Sequence, residues 1–102
     1  MWTVSSDVKD QLKISDDHSI QKLLRRALKF FNRVGRPTLI GPLSLDMGIS
    51  LRQLQVLISV LIESGDIRPA SIDELRLMGI DQRDGAIVYA LTHPPVANLA
   101  FD

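Results

Sequence analysis

Apolar side chains recur at spacings of three and four along residues 17–34, the spacing of a helix that buries one face. Asp16 and Asp17 suit the start of this helix, where a carboxylate accepts hydrogen bonds from open backbone N–H groups. Gly35 suits the left-handed position after its end, and Pro37 prevents continuation. The pattern therefore predicts an amphipathic helix over residues 17–34. Its apolar positions are Ile20, Leu23, Leu24, Ala27, Leu28, Phe31 and Val34.

The N-terminal residues show a weaker pattern of apolar positions. Ser6 suits the cap of a short helix with two apolar residues. Because 102 residues are enough for one domain and not for two, we predict a single domain over residues 1–102. Residues 1–16 are its N-terminal extension and residues 93–102 its C-terminal tail.

Three short elements follow the long helix. Residues 38–40 are prone to form a strand, and Pro42 suits the first turn of a short helix that ends before Gly48. Ser50 then caps a further helix, which ends at Gly65.

The C-terminal third predicts two strands around one helical turn. Residues 67–69 form a short strand, which its proline restricts to an edge or an end. Ser71 and Glu74 have the spacing of a capping box, so a helical turn is expected over residues 72–78. Residues 86–91 are the strongest strand candidate in the chain.

Residues 43–67, LSLDMGISLRQLQVLISVLIESGDI, resemble the helix-turn-helix and following strand of winged-helix regulators of the MarR and ArsR kinds. In that pattern Gly48 makes the left-handed turn between the helices, Ile49 fills it and Ser50 caps the next helix. Residues 81–92, DQRDGAIVYALT, resemble the second half of a MarR-type wing. The resemblance implies an α+β winged helix-turn-helix, which is a three-helix core with a small antiparallel β-wing. It also implies sequence-dependent binding of double-stranded DNA by a transcriptional or replication/partition regulator.

The resemblance places the first turns of the helix after Ser50 in the major groove. There Arg52 can donate a fork of hydrogen bonds to guanine, while Gln53 or Gln55 can pair with adenine. An arginine in the wing can reach a phosphate or the minor groove. The alternative is an ordinary solvated helix face. The candidate DNA contacts are Ser50, Arg52, Gln53, Gln55, Val56, Ser59 and Arg83.

A protein-interaction module is the second hypothesis. Leu51, Val56 and Val60 are expected on the outward side of the same helix, where they can touch thymine methyl groups or a partner protein. The surface of this helix separates the two hypotheses, because a basic and free surface favours DNA and an apolar, covered one favours protein.

The charge of the chain is zero overall but unevenly distributed. Residues 18–62 hold seven basic residues against Asp46, a local charge of +6, and residues 63–102 carry −4. Such asymmetry bears on partners rather than on fold. Six cations follow helical spacing opposite the apolar stripe, where they can meet phosphates, a second nucleic acid or an acidic protein, or simply be solvated. They are Lys22, Arg25, Arg26, Lys29, Arg33 and Arg36.

Several function classes find no support in the sequence. The chain has no cysteine, and His18 and His93 have no ligand spacing to each other or to a carboxylate cluster. We therefore expect no catalytic residue, no metal, no cofactor and no enzyme activity. Because no apolar run approaches about 18 residues and no signal-peptide pattern is seen, we expect no membrane partner and a cytoplasmic protein.

A homodimer is expected, because one winged helix contacts only a few base pairs. The long helices with which MarR proteins dimerise are absent. The candidate dimer contacts are the tail with Leu99 and Phe101, the segment from residue 2 to residue 12, and the outward face of the helix after Ser50.

Overall fold

The computed structural model describes residues 2–80 and 88–93. Within these ranges it contains five helices and three strands, which confirms the predicted α+β class. They are α1 (Ser6–Leu12), α2 (Asp17–Val34), β1 (Thr38–Leu39), α3 (Gly41–Met47), α4 (Leu51–Glu63), β2 (Ile67–Pro69), α5 (Ile72–Leu77) and β3 (Val88–Leu91). The predicted turn at 81–85, the start of the last strand and the tail beyond residue 93 lie outside the described residues.

Local signals fix the ends of the helices as predicted. The Asp16 carboxylate accepts from the His18 N–H at 3.2 Å, and Gly35 ends α2 in the left-handed conformation with φ of 68°. The α1 cap lies one residue before the predicted one, since the Ser5 hydroxyl accepts from the Val8 N–H.

The three strands form one antiparallel sheet in the order β1-β3-β2. Thr38 lies opposite Tyr89, and Ile67 lies opposite Leu91. Because β2 is an edge strand, Pro69 costs the sheet no internal hydrogen bond, as its sequence position predicted.

The core lies between α2, α4 and the sheet, and the N-terminal segment is part of it. Leu12 is 1% exposed and belongs to the same buried cluster as α2 and α4 side chains. The Trp2 indole N–H donates to the Asp66 carboxylate at 2.7 Å. Two further hydrogen bonds join the Trp2 backbone to the buried side chain of Gln21. Residues 2–12 are therefore anchored at both ends.

Candidate nucleic-acid interface

α3 and α4 form a helix pair with a sharp turn. Three residues join them, and the chain direction changes by 105° between the two helices. Gly48 makes the turn with φ of 67°, a conformation that is unfavourable for residues with a side chain. The next residue, Ile49, packs against the core. The turn angle and the length of the connection lie in the range of helix-turn-helix units.

No single helix among the described residues is long and apolar enough to cross a membrane.

The start of α4 is held by a reciprocal cap. The Ser50 hydroxyl accepts from the Gln53 N–H at 3.1 Å, and the Gln53 side-chain oxygen accepts from the Ser50 N–H at 3.1 Å. The Gln53 side-chain nitrogen donates to the carbonyl of Leu12 at 2.9 Å. Both ends of this amide therefore have partners inside the protein, and pairing of Gln53 with adenine would require these hydrogen bonds to break. The sequence predicted the Ser50 cap but gave no signal for the bond to Leu12.

A polar face of α4 stays open to solvent. Arg52 and Ser59 are exposed and Gln55 is half-buried, and positions 52, 55 and 59 share one side of a helix. The Ser59 hydroxyl donates back to the Gln55 carbonyl at 3.0 Å. Val56 lies beside them but is partly buried against the core. We call Arg52, Gln55 and Ser59 the open face of α4.

The outward apolar patch expected on α4 does not form. Val60 is 6% exposed and lies in the core cluster, so its predicted outward position is wrong. α1 packs against α4 and bonds to Gln53, which lies on the same side of the helix as Val60, so this side of α4 faces the N-terminal segment rather than solvent. Leu51, at 44% exposure, is the most accessible of the three residues proposed for a partner protein.

Five cations of α2 share one side of the helix by their spacing, and Arg36 follows the helix end. All six are exposed, and we call them the basic face: Lys22, Arg25, Arg26, Lys29, Arg33 and Arg36. The Arg26 guanidinium lies 3.8 Å from the Asp46 carboxylate and donates to the Asp46 carbonyl at 3.1 Å. Within residues 2–80 and 88–93 the other five make no ion pair. The part of the face from Lys22 to Arg33 extends about 17 Å along the helix.

α5 is inserted between β2 and β3 and is fastened by one ion pair. The Arg68 guanidinium meets the two Glu74 carboxylate oxygens at 2.7 and 3.0 Å. The hydrogen bond from Arg68, followed by one from the Ser71 N–H, lowers the pKa of Glu74 from 4.5 to about 2. These two hydrogen bonds attach α5 to the edge strand β2. Arg83, the candidate wing contact, lies outside the described residues.

Sequence reasoning missed a cleft between α1 and the start of α4. It has a volume of about 670 Å³ and is lined by Asp10, Gln11, Lys13, Ser50, Arg52 and Gln53. Lys13 is exposed and has φ of 59°. A capped short helix was visible in the sequence, but nothing local indicated that its end meets α4.

The described residues contain no group of three or more side chains suited to hold a metal ion. No protein family, curated protein or solved structure gives a significant match to this chain.

Proposed function

We propose that this protein binds double-stranded DNA through a winged helix-turn-helix, as a small transcriptional or replication/partition regulator. The observation that carries the proposal is the α3–α4 pair, with its 105° turn across three residues and the open face on α4. In this arrangement the first helix crosses the DNA backbone and the start of the second enters the major groove.

The sheet supports the same arrangement. α3 and α4 lie between β1 and β2 in the chain, and β3 returns between those two strands. That order leaves β2 and β3 to form the stem of a wing beside α4. The inserted α5 makes this wing longer than the usual two-strand hairpin.

On α4, Arg52 is the residue for base recognition. Its guanidinium is exposed in the first turn, and among the described residues it makes no ion pair. A planar fork of donors fits the two acceptors on the major-groove edge of guanine. Gln55 and Ser59 continue the same side of the helix and offer further hydrogen bonds.

The basic face of α2 supplies a second contribution to DNA affinity, one that does not depend on the base sequence. Like charges at helical spacing repel one another by a few tenths of a kcal/mol per pair, so an anionic partner relieves that repulsion. Phosphates of a duplex are such a partner, and their charge recurs about every 3.4 Å along each strand. The alternative of an apolar protein-binding face on α4 is weakened by the burial of Val60.

Fluorescence anisotropy of a mixed-sequence duplex tests the proposal. We expect binding at about 50 mM salt that weakens steeply by about 200 mM, because each phosphate contact releases condensed counterions. Absence of binding at the lower salt concentration would overturn the proposal.

A further inference from the structure

The cleft between α1 and α4 joins a lysine to the residue proposed for base recognition. Lys13 follows Leu12, whose carbonyl accepts the Gln53 side-chain hydrogen bond at 2.9 Å. The Lys13 backbone is therefore fixed at the first turn of α4. Lys13 and Arg52 both line the cleft of about 670 Å³. The cleft thus brings a basic residue of the N-terminal segment beside the first turn of α4.

The backbone at Lys13 makes this placement unusual. Residues 2–80 and 88–93 contain five positions with φ between 59° and 84°, and glycine occupies four of them. The fifth is Lys13, although left-handed backbone is unfavourable for a residue with a Cβ atom. A glycine would end α1 at less cost. Residues held in a disfavoured conformation concentrate at functional sites, and the residue in this conformation is an exposed cation.

We propose that Lys13 holds one phosphate of the DNA backbone at this cleft, at the edge of the groove that α4 enters, while Arg52 beside it stays free for a base. The inference rests on the proposed function, because the ligand is a phosphate of the same duplex. It assigns α1 a role in binding beyond its packing. The contact sets the position of α4 on the duplex and carries no sequence information of its own.

One carboxylate at the cleft should repel a bound phosphate. Asp10 also lines the cleft, so its charged side chains are two cations and one anion. Removing the Asp10 charge should therefore strengthen the phosphate contact, whereas removing the Lys13 charge should weaken it. The two substitutions give effects of opposite sign at one site.

The test uses the full chain and a duplex of mixed sequence, titrated at about 50 and 200 mM salt. Lys13→Gly removes the cation and suits the left-handed backbone, so its Tm should equal or exceed that of the parent chain. Lys13→Asn is the second variant, because asparagine also tolerates this conformation. Lys9→Gln is the matched control, since it removes one charge from α1 at a residue that does not line the cleft.

Both Lys13 variants should lose affinity about threefold to tenfold at the lower salt concentration. Their slope of log affinity against log salt should fall by about 0.9, the value for one phosphate. Asp10→Asn should bind more tightly, and Lys9→Gln should keep the parent slope. If the parent chain binds duplex DNA and the Lys13 variants match it in affinity and slope, this inference fails and the proposed function stands. If the parent chain does not bind duplex DNA, both fail.

Discussion

The side-chain amide of Gln53 donates a hydrogen bond to the backbone carbonyl of Leu12 across 2.9 Å, joining residues that are 41 positions apart. The same amide accepts from the Ser50 N–H and so completes the cap of α4. One glutamine therefore fixes both the start of α4 and the position of α1 beside it. Gln53 therefore belongs to the framework that holds α1 and α4 together.

Gln53→Ala should lower the free energy of unfolding by about 1–2 kcal/mol, because it removes half of a capping box and leaves the Leu12 carbonyl without this donor. Gln55→Ala, two positions along α4, is the control and should cost less than about 0.5 kcal/mol. Urea denaturation followed by Trp2 fluorescence measures both. Equal losses in the two variants would contradict the framework role of Gln53.

The Arg68–Glu74 pair makes stability depend on pH. The pKa of Glu74 is about 2 in the folded chain against an ordinary value of 4.5. A lowered pKa stabilises the fold fully above the ordinary value, and this contribution disappears as the pH falls toward about 2. Because water reaches Arg68, we expect Glu74→Gln to cost only about 1 kcal/mol at pH 7.

The difference between the parent chain and Glu74→Gln should therefore shrink between about pH 5 and pH 2. Urea denaturation at several pH values measures it. A difference that stays constant across this range would show that the carboxylate charge contributes nothing to the attachment of α5.

The basic face should contribute affinity without selectivity. Replacing both Lys29 and Arg33 by glutamine should weaken binding to every duplex alike and lower the salt slope by about two. Arg26→Gln should lower the affinity less per charge removed. Asp46 already forms an ion pair with the Arg26 guanidinium, and its carbonyl accepts a hydrogen bond from it. Anisotropy titrations on several duplexes measure these effects. Loss confined to one sequence would place the basic face in the groove instead.

Self-association separates the two functional hypotheses. We expect a homodimer that dissociates more readily when residues 96–102 are removed and that tolerates Leu51→Glu, since DNA binding requires a free α4 face. Leu51 is the suitable test position on α4, because Val56 is partly buried against the core and a charge there would disturb folding. Light scattering gives the mass of each variant. A dimer broken by Leu51→Glu and unaffected by the truncation would favour the protein-interaction module.

Local chemistry made most of the fold predictable. Asp16, Gly35 and Ser50 set helix ends through their own side chains or backbone freedom, so a few neighbouring residues carry the signal. Pro69 restricted β2 to an edge for an equally local reason. In each case the deciding interaction lies within a few residues of the signal.

The errors came from contacts between distant segments. The weakly patterned N-terminus gives no indication that α1 packs on α4, so the sequence predicts an outward Val60 and gives no sign of the bond between Gln53 and Leu12. The bond from Trp2 to Asp66 spans 64 residues and was equally invisible. Periodicity shows which face of a helix is apolar, but not which neighbour covers a mixed face.

In the proposed function, α4 recognises bases while α2 supplies positive charge. The most direct test of this assignment is the affinity of Arg52→Ala and of the control Lys29→Ala for two duplexes, one selected by the parent chain from a random pool and one of random sequence. We expect Arg52→Ala to lose about 1–3 kcal/mol on the selected duplex and far less on the random one, while Lys29→Ala weakens both alike. Equal losses on the two duplexes for Arg52→Ala would contradict base recognition by α4.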